Sequence, residues 1–149
     1  MKPDVPPGDP PLFALLNEVG IIEQLARNRF ERAQADGLRL PHFSVLNHLV
    51  RLGDGSTPGQ LARAFQLTKA TMTNTLQRLE ARGFIRVEAD PADGRGKRVF
   101  LTAAGRDRRQ QAVAALAEDL ATIGATPGLD PAALLPGLRA LRAALDKAR

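Results

Sequence analysis

The chain has 149 residues, 44% of them hydrophobic, with no cysteine and a formal net charge of +5. That length suits one domain, or two small lobes sharing one core. The absence of cysteine excludes disulfides, thiolate zinc sites and cysteine-based redox sensing. The two histidines, His42 and His48, have no carboxylate cluster beside them, so neither a metal nor a cofactor is expected.

The opening stretch, MKPDVPPGDPP, lacks the apolar h-region of a signal peptide and reads as a short, disordered, proline-rich arm over residues 1–9. No later apolar run approaches the roughly 20 residues of a membrane span, so no membrane partner is expected and the cytoplasm is the default compartment. Asp9-Pro10 looks like an N-cap followed by proline at the first helical position. Leu12, Leu15, Leu16, Val19, Ile22, Ala26 and Phe30 then recur at helical spacing, which predicts a long first helix ending near Ala35–Gly37. Pro41 opens a second helix carrying Phe43, Val45, Leu46, Leu49 and Val50, and Gly53–Ser56 closes it.

Thr57, Pro58 and Gln60 stand as N-cap, N1 and N3 of a capping box. They start a short third helix with Leu61, Ala62 and Phe65 facing inward. Thr68 is the natural N-cap of a fourth helix, with Met72, Leu76 and Leu79 as its buried stripe and Gly83 at the C′ position. FIRVEA and KRVFLT, residues 84–89 and 97–102, read as the strands of a hairpin. Thr102 caps a fifth helix with Val113, Leu116, Leu120 and Ile123 on one face. Asp130-Pro131 caps a sixth, striped by Leu134, Leu138, Leu141 and Leu145. The expected fold class is mainly α with a small β-hairpin wing, in the order α-α-α-α-β-β-α-α.

Two short helices joined by a tight turn at Phe65–Leu67, followed by a two-stranded hairpin, make a winged helix-turn-helix. A helix about 12 Å across fits the major groove of DNA. With the fourth helix's stripe turned inward, its opposite face presents Ala70, Asn74, Gln77 and Arg78, flanked by Thr71 and Thr73, with Lys69 near the start. Asparagine and glutamine can pair with adenine, arginine with guanine, and threonine with phosphate or a thymine methyl. The free N–H groups at the Thr68 end can hold a phosphate, and Thr57 caps the preceding helix in the same region. The wing tip is glycine-rich and unpacked because it reaches outward. Arg95 is placed there for the minor groove, with Lys97 and Arg98 on the returning strand for phosphates. Charge agrees: residues 57–109 hold eleven cations against five carboxylates, a net +6, and the remainder holds ten against eleven, a net −1. No nucleophile–base pair, paired carboxylates or phosphate-binding loop argues for an enzyme. A winged-helix module that binds an acidic protein, without sequence-specific DNA binding, is the alternative reading of the same basic face.

Thr57 to Arg106, TPGQLARAFQLTKATMTNTLQRLEARGFIRVEADPADGRGKRVFLTAAGR, resembles the MarR (multiple antibiotic resistance regulator) family of transcription factors. The linked pieces are LTKATMTNTLQRLEARGFI, the DPADGR wing and LTAAGR, and the long helices on either side extend the likeness over nearly the whole chain. The resemblance implies a homodimeric repressor of double-stranded DNA, acting on a pseudo-palindromic operator. Residues 10–36 and 107–149 would be dimerisation helices, with Leu12, Leu16, Val19, Leu116, Leu120, Leu134, Leu138, Leu141 and Leu145 at the interface, and residues 37–106 the DNA-binding lobe. It further implies a small aromatic or anionic effector, bound in a region involving Phe13, Ile22, Arg27, Phe30, His42, Phe43 and Leu46. His42 reads first as a hydrogen-bonded structural or surface histidine, with the effector role as the alternative. Two departures stand out. Gln66 occupies the turn between the third and fourth helices where the family usually has glycine, and Gly94 and Gly96 replace bulkier wing residues.

Overall fold

The computed structural model describes residues 6–149; residues 1–5 of the expected arm lie outside them. The chain divides into two compact units, one running to Ala114 and the other Ala115–Arg149.

In the first unit, α1 (Pro11–Ala33) and α2 (Leu40–Leu52) precede the helix-turn-helix, α3 (Pro58–Ala64) and α4 (Lys69–Ala81). The hairpin follows as β1 (Ile85–Ala89) and β2 (Lys97–Leu101), then α5 (Ala103–Ala114). The fold class is as the sequence predicts. The first helix starts differently: Pro10 is the N-cap of α1 and no side chain caps it, so Asp9 lies one residue too early. Proline fixes the first turn by its φ alone, without an N-cap acceptor.

The core collects the inward stripes of α2, α3, α4 and the hairpin. Val45, Leu46, Leu49, Leu61, Ala62, Met72, Leu76, Leu79, Ile85, Val99 and Leu101 form one buried cluster, with Phe65, Phe84 and Val87 packed against it. The predicted stripe of α4 is buried as a set. β1 and β2 pair antiparallel from Ile85 opposite Leu101 to Ala89 opposite Lys97, which turns Ile85, Val99 and Leu101 to the core. The loop before α3 adds a third edge that its glycines did not reveal. Ser56 bridges Val99, Gly55 donates to the Val99 carbonyl at 2.9 Å, and Asp54 accepts the Leu101 N–H at 2.8 Å.

A second set of contacts ties α1 to α5 and α4. The carboxylate of Asp36, just after α1, accepts from Arg108 at 2.6 and 2.9 Å and also binds Arg82. Arg108 reaches on to Gln34 Oε1 at 2.9 Å, and the buried Gln34 donates to the Ala112 carbonyl.

The second unit holds α6 (Ala117–Gly124) and α7 (Pro131–Lys147). Asp130 caps α7 by accepting the Ala133 N–H at 3.2 Å, as its position before Pro131 predicts. The expected fifth helix is two helices, α5 and α6, broken at Ala115–Leu116. No glycine or proline marks the break. Glu118 and Asp119 stand in the first turn of α6, where negative charge meets free N–H groups, and that acidic pair is the local signal for a restart. No helix of the described residues is long and apolar enough to cross a membrane.

Candidate nucleic-acid interface

The site is built on α3, α4 and the wing. Thr57 forms the full capping box, its hydroxyl accepting the Gln60 N–H at 3.1 Å while the Gln60 side chain accepts the Thr57 N–H at 2.8 Å. α3 then ends in a Schellman turn: Leu67 N–H bonds the Ala62 carbonyl and Gln66 N–H the Arg63 carbonyl. That geometry needs a left-handed residue, and Gln66 takes it at φ 52°, the one non-glycine residue with positive φ among those described. α4 ends in the same motif, Phe84 N–H to the Leu79 carbonyl, with glycine at the strained place: Gly83, φ 76°. The two turns set the entry and exit angles of α4.

Thr68 caps α4 through its hydroxyl, which accepts the Thr71 N–H at 3.1 Å and lies 2.9 Å from the Thr71 hydroxyl. With Met72, Thr75, Leu76 and Leu79 buried, Lys69, Ala70, Thr71, Thr73, Asn74, Gln77 and Arg78 are all exposed. Helical geometry puts Ala70, Asn74 and Gln77 at the centre of the outer face, Thr73 on the flank toward the wing, and Thr71 and Arg78 on the other. Arg78 Nε donates to Asn74 Oδ1 at 3.2 Å, one turn back.

Between α4 and the wing lies a cleft of about 340 Å³, lined by Thr73, Gln77, Glu80, Glu88, Arg95 and Lys97 among others. Its two carboxylates, which sequence reasoning left out of the site, have partners. Glu80 accepts the Val87 N–H at 2.7 Å, and Glu88 pairs with Arg86. Arg95 and Lys97 are exposed at the opening.

The wing tip is ordered by its own acids. Asp90 accepts the Ala92 N–H at 3.0 Å and Asp93 the Arg95 N–H at 3.1 Å, while the Asp90 N–H bonds the Gly96 carbonyl at 2.8 Å. The Ala92 N–H and the Arg98 guanidinium hold the Asp90 carboxyl below the usual carboxylate range. Arg98 therefore has structural work besides any phosphate contact. It bonds the Gly55 carbonyl at 2.8 Å and pairs with Asp90 at 3.1 Å, fastening the wing to the loop before α3.

Of the seven residues expected around an effector, Phe30 and Phe43 are brought together within the chain. Leu46 is fully buried in the core, the Phe30 and Phe43 rings meet tilted by 47° with centroids 4.7 Å apart, and Phe13 and Ile22 are exposed on α1. His42 is half-buried at the start of α2; burial, then Arg78, Arg82 and Arg39, lower its pKa and keep the imidazole neutral near pH 7. A cavity of about 230 Å³ does open between α1, α2 and α4, and of the seven only Arg27 lines it, ion-paired with Glu23 at 2.6 Å. Its other walls include Ser44, Val45, Phe65, Met72 and Thr75. Helical periodicity marks Val45, Phe65 and Met72 as inward-facing, but that these walls meet Arg27 across one cavity carries no local sequence signal.

A helix capped at both ends, carrying amide and guanidinium groups outward beside a basic antiparallel hairpin, defines a winged helix-turn-helix protein. A family model described as the MarR family matches residues 36–96. The transcriptional regulator HosA of Escherichia coli O111:H- is 40% identical over 70 residues, which cover 44% of this chain and 52% of that protein. The chain spans about half the length of the curated relatives it matches. Among solved structures, a probable transcriptional regulator from Pseudomonas aeruginosa is 31% identical with a TM-score of 0.63, over 85% of this chain and 97% of that one. The transcriptional regulator MosR of M. tuberculosis, solved in complex with DNA, is 27% identical with a TM-score of 0.69, over 90% and 97%. Residues 36–96, the helix-turn-helix and most of the wing, thus carry the MarR-family sequence pattern.

Proposed function

We propose that the protein is a homodimeric regulator of transcription that binds a pseudo-palindromic operator in double-stranded DNA and represses by occupying it. The observation that carries this reading is the juxtaposition of Thr73 and Gln77 on α4 with the wing cations Arg95 and Lys97 across one cleft, with the bonded pair Asn74 and Arg78 exposed on the same outward-turned helix. Thr57, Thr68, Lys69, Ala70, Thr71, Thr73 and Arg98 complete the proposed contact set. A relative solved in complex with DNA supports the same use of the fold.

The dimer reading is supported by apolar surface that a single chain leaves open. Leu12, Leu16, Leu120, Leu134, Leu138 and Leu145 are each 38–53% exposed, and Val19, Leu116 and Leu141 are half-buried. Covering them with a second copy gains about 25 cal/mol per Å² of apolar surface. A two-fold dimer places two copies of α4 about one DNA turn apart, which suits a palindrome. A small aromatic or anionic ligand that favours another dimer spacing would release the operator.

The test is a titration of labelled duplex from the region upstream of this protein's own gene, against a shuffled duplex, over a salt series. Tighter binding to the upstream duplex, with a steep salt slope on both, is the expected result. Failure to prefer any sequence, there or in a selection from random duplexes, would refute sequence-specific regulation and favour an acidic protein partner for the basic face.

A further inference from the structure

We propose that Arg78 sets the base preference of Asn74, making the two side chains together a reader of guanine. The inference deepens the regulator reading and rests on it. Asn74 and Arg78 stand one turn apart on α4, both exposed, on the side turned from the core. Arg78 Nε donates to Asn74 Oδ1 at 3.2 Å, so the acceptor of the amide is engaged within the helix. Left wholly free for a base is the amide N–H₂, a donor at both hydrogens, while the oxygen keeps one lone pair.

A free asparagine recognises adenine because it does two things at once: it donates to N7 and accepts from the N6 amino group. An asparagine whose oxygen is turned to a guanidinium has one of that oxygen's two lone pairs taken and its amide oriented by Arg78, so it is a poorer partner for the adenine amino group. Guanine offers N7 and O6, both acceptors, and fits. The Nη groups of Arg78 are also donors and stand on the same patch, so they reinforce the preference. The unpaired residue types alone suggest adenine for Asn74; the observed hydrogen bond reverses that assignment.

The experiment is binding selection from duplexes with a randomised centre, run on the full chain as wild type, Asn74→Ala and Arg78→Ala. Both side chains are exposed, so neither substitution opens the core. The Asn74→Ala protein identifies the base pair that Asn74 reads, as the one whose preference flattens. At that pair the wild type is expected to favour guanine over adenine by about fivefold or more, and Arg78→Ala to favour adenine. Adenine preferred by the wild type there, guanine still preferred by Arg78→Ala, or no pair flattened by Asn74→Ala would each overturn the proposal while leaving a sequence-specific regulator. A wild type that enriches no sequence would overturn the regulator reading itself, and the proposal with it.

Discussion

Gly105→Ala should destabilise the protein by about 3 kcal/mol, although the substitution improves helix propensity. Gly105 is the third residue of α5, and its N–H bonds the Thr102 hydroxyl at 3.0 Å. An added Cβ would lie 1.9 Å from the Phe84 carbonyl oxygen, 2.8 Å from the Phe84 carbonyl carbon and 3.0 Å from Leu101 Cδ1. The first two are backbone atoms at the exit of α4 and cannot rotate away. Restoring an ordinary carbon–oxygen contact of about 3.4 Å requires α5 to retreat by more than about 1 Å. That motion loosens three hydrogen bonds: Gly105 N–H to Thr102, Thr102 Oγ1 to the Gly83 carbonyl at 2.6 Å, and Thr102 N–H to the Phe84 carbonyl at 3.1 Å. At about 1 kcal/mol each, plus about 1–2 for overpacking and less about 1 recovered from propensity, the net loss is roughly 3 kcal/mol. Gly20→Ala is the control: it lies inside α1 with nothing within 4 Å of its added Cβ, and should gain up to about 1 kcal/mol. Urea unfolding at one fixed protein concentration reads both, the fixed concentration removing the effect of association. A Gly105→Ala protein as stable as the wild type would show that propensity, not the approach of α5 to Phe84, governs this position.

Gln66→Gly should raise stability by about 0.5 kcal/mol, because relief of a left-handed residue at φ 52° outweighs the added freedom of the unfolded chain; an unchanged or lowered urea midpoint would refute it. The Asp36 carboxyl is held far below its usual range by the Arg108 hydrogen bond first, against some burial, with help from the Leu38 N–H and Arg82. A depressed pKa stabilises the fold above the unfolded value, so this contribution should be complete above about pH 4 and fall away in acid. The stability gap between wild type and Asp36→Asn should accordingly narrow as pH is lowered below about 4, and a gap that stays constant would contradict the assignment. Arg95→Ala should weaken binding to all duplexes and flatten the log affinity–log salt slope by about one, whereas Arg98→Ala, which frees the wing from Gly55 and Asp90, should also lower the thermal midpoint. Equal melting of the two variants would deny Arg98 its anchoring role.

Much of the lobe was legible because its signals are local. Thr57, Thr68 and Asp130 cap the helices they precede, since a cap is a bond to a residue three positions on. The stripe of Met72, Leu76 and Leu79 is buried because helical periodicity puts those side chains on one face. The same rule, read outward, selects Asn74, Gln77 and Arg78. Even the strain at Gln66 follows from the turn that two such close helices need.

What the tertiary structure alone decided are contacts between residues far apart in the chain. Arg98 is fastened to Gly55, Asp36 gathers Arg82 and Arg108, and Gly105 touches Phe84, each across more than about one helix length of sequence. No periodicity encodes these meetings, because they depend on how elements approach one another. The Asn74–Arg78 bond is an intermediate case: its spacing permits it, but either side chain could have turned to solvent. Periodicity and capping thus determined which surface this protein presents, and packing determined which atoms on that surface are left free to act.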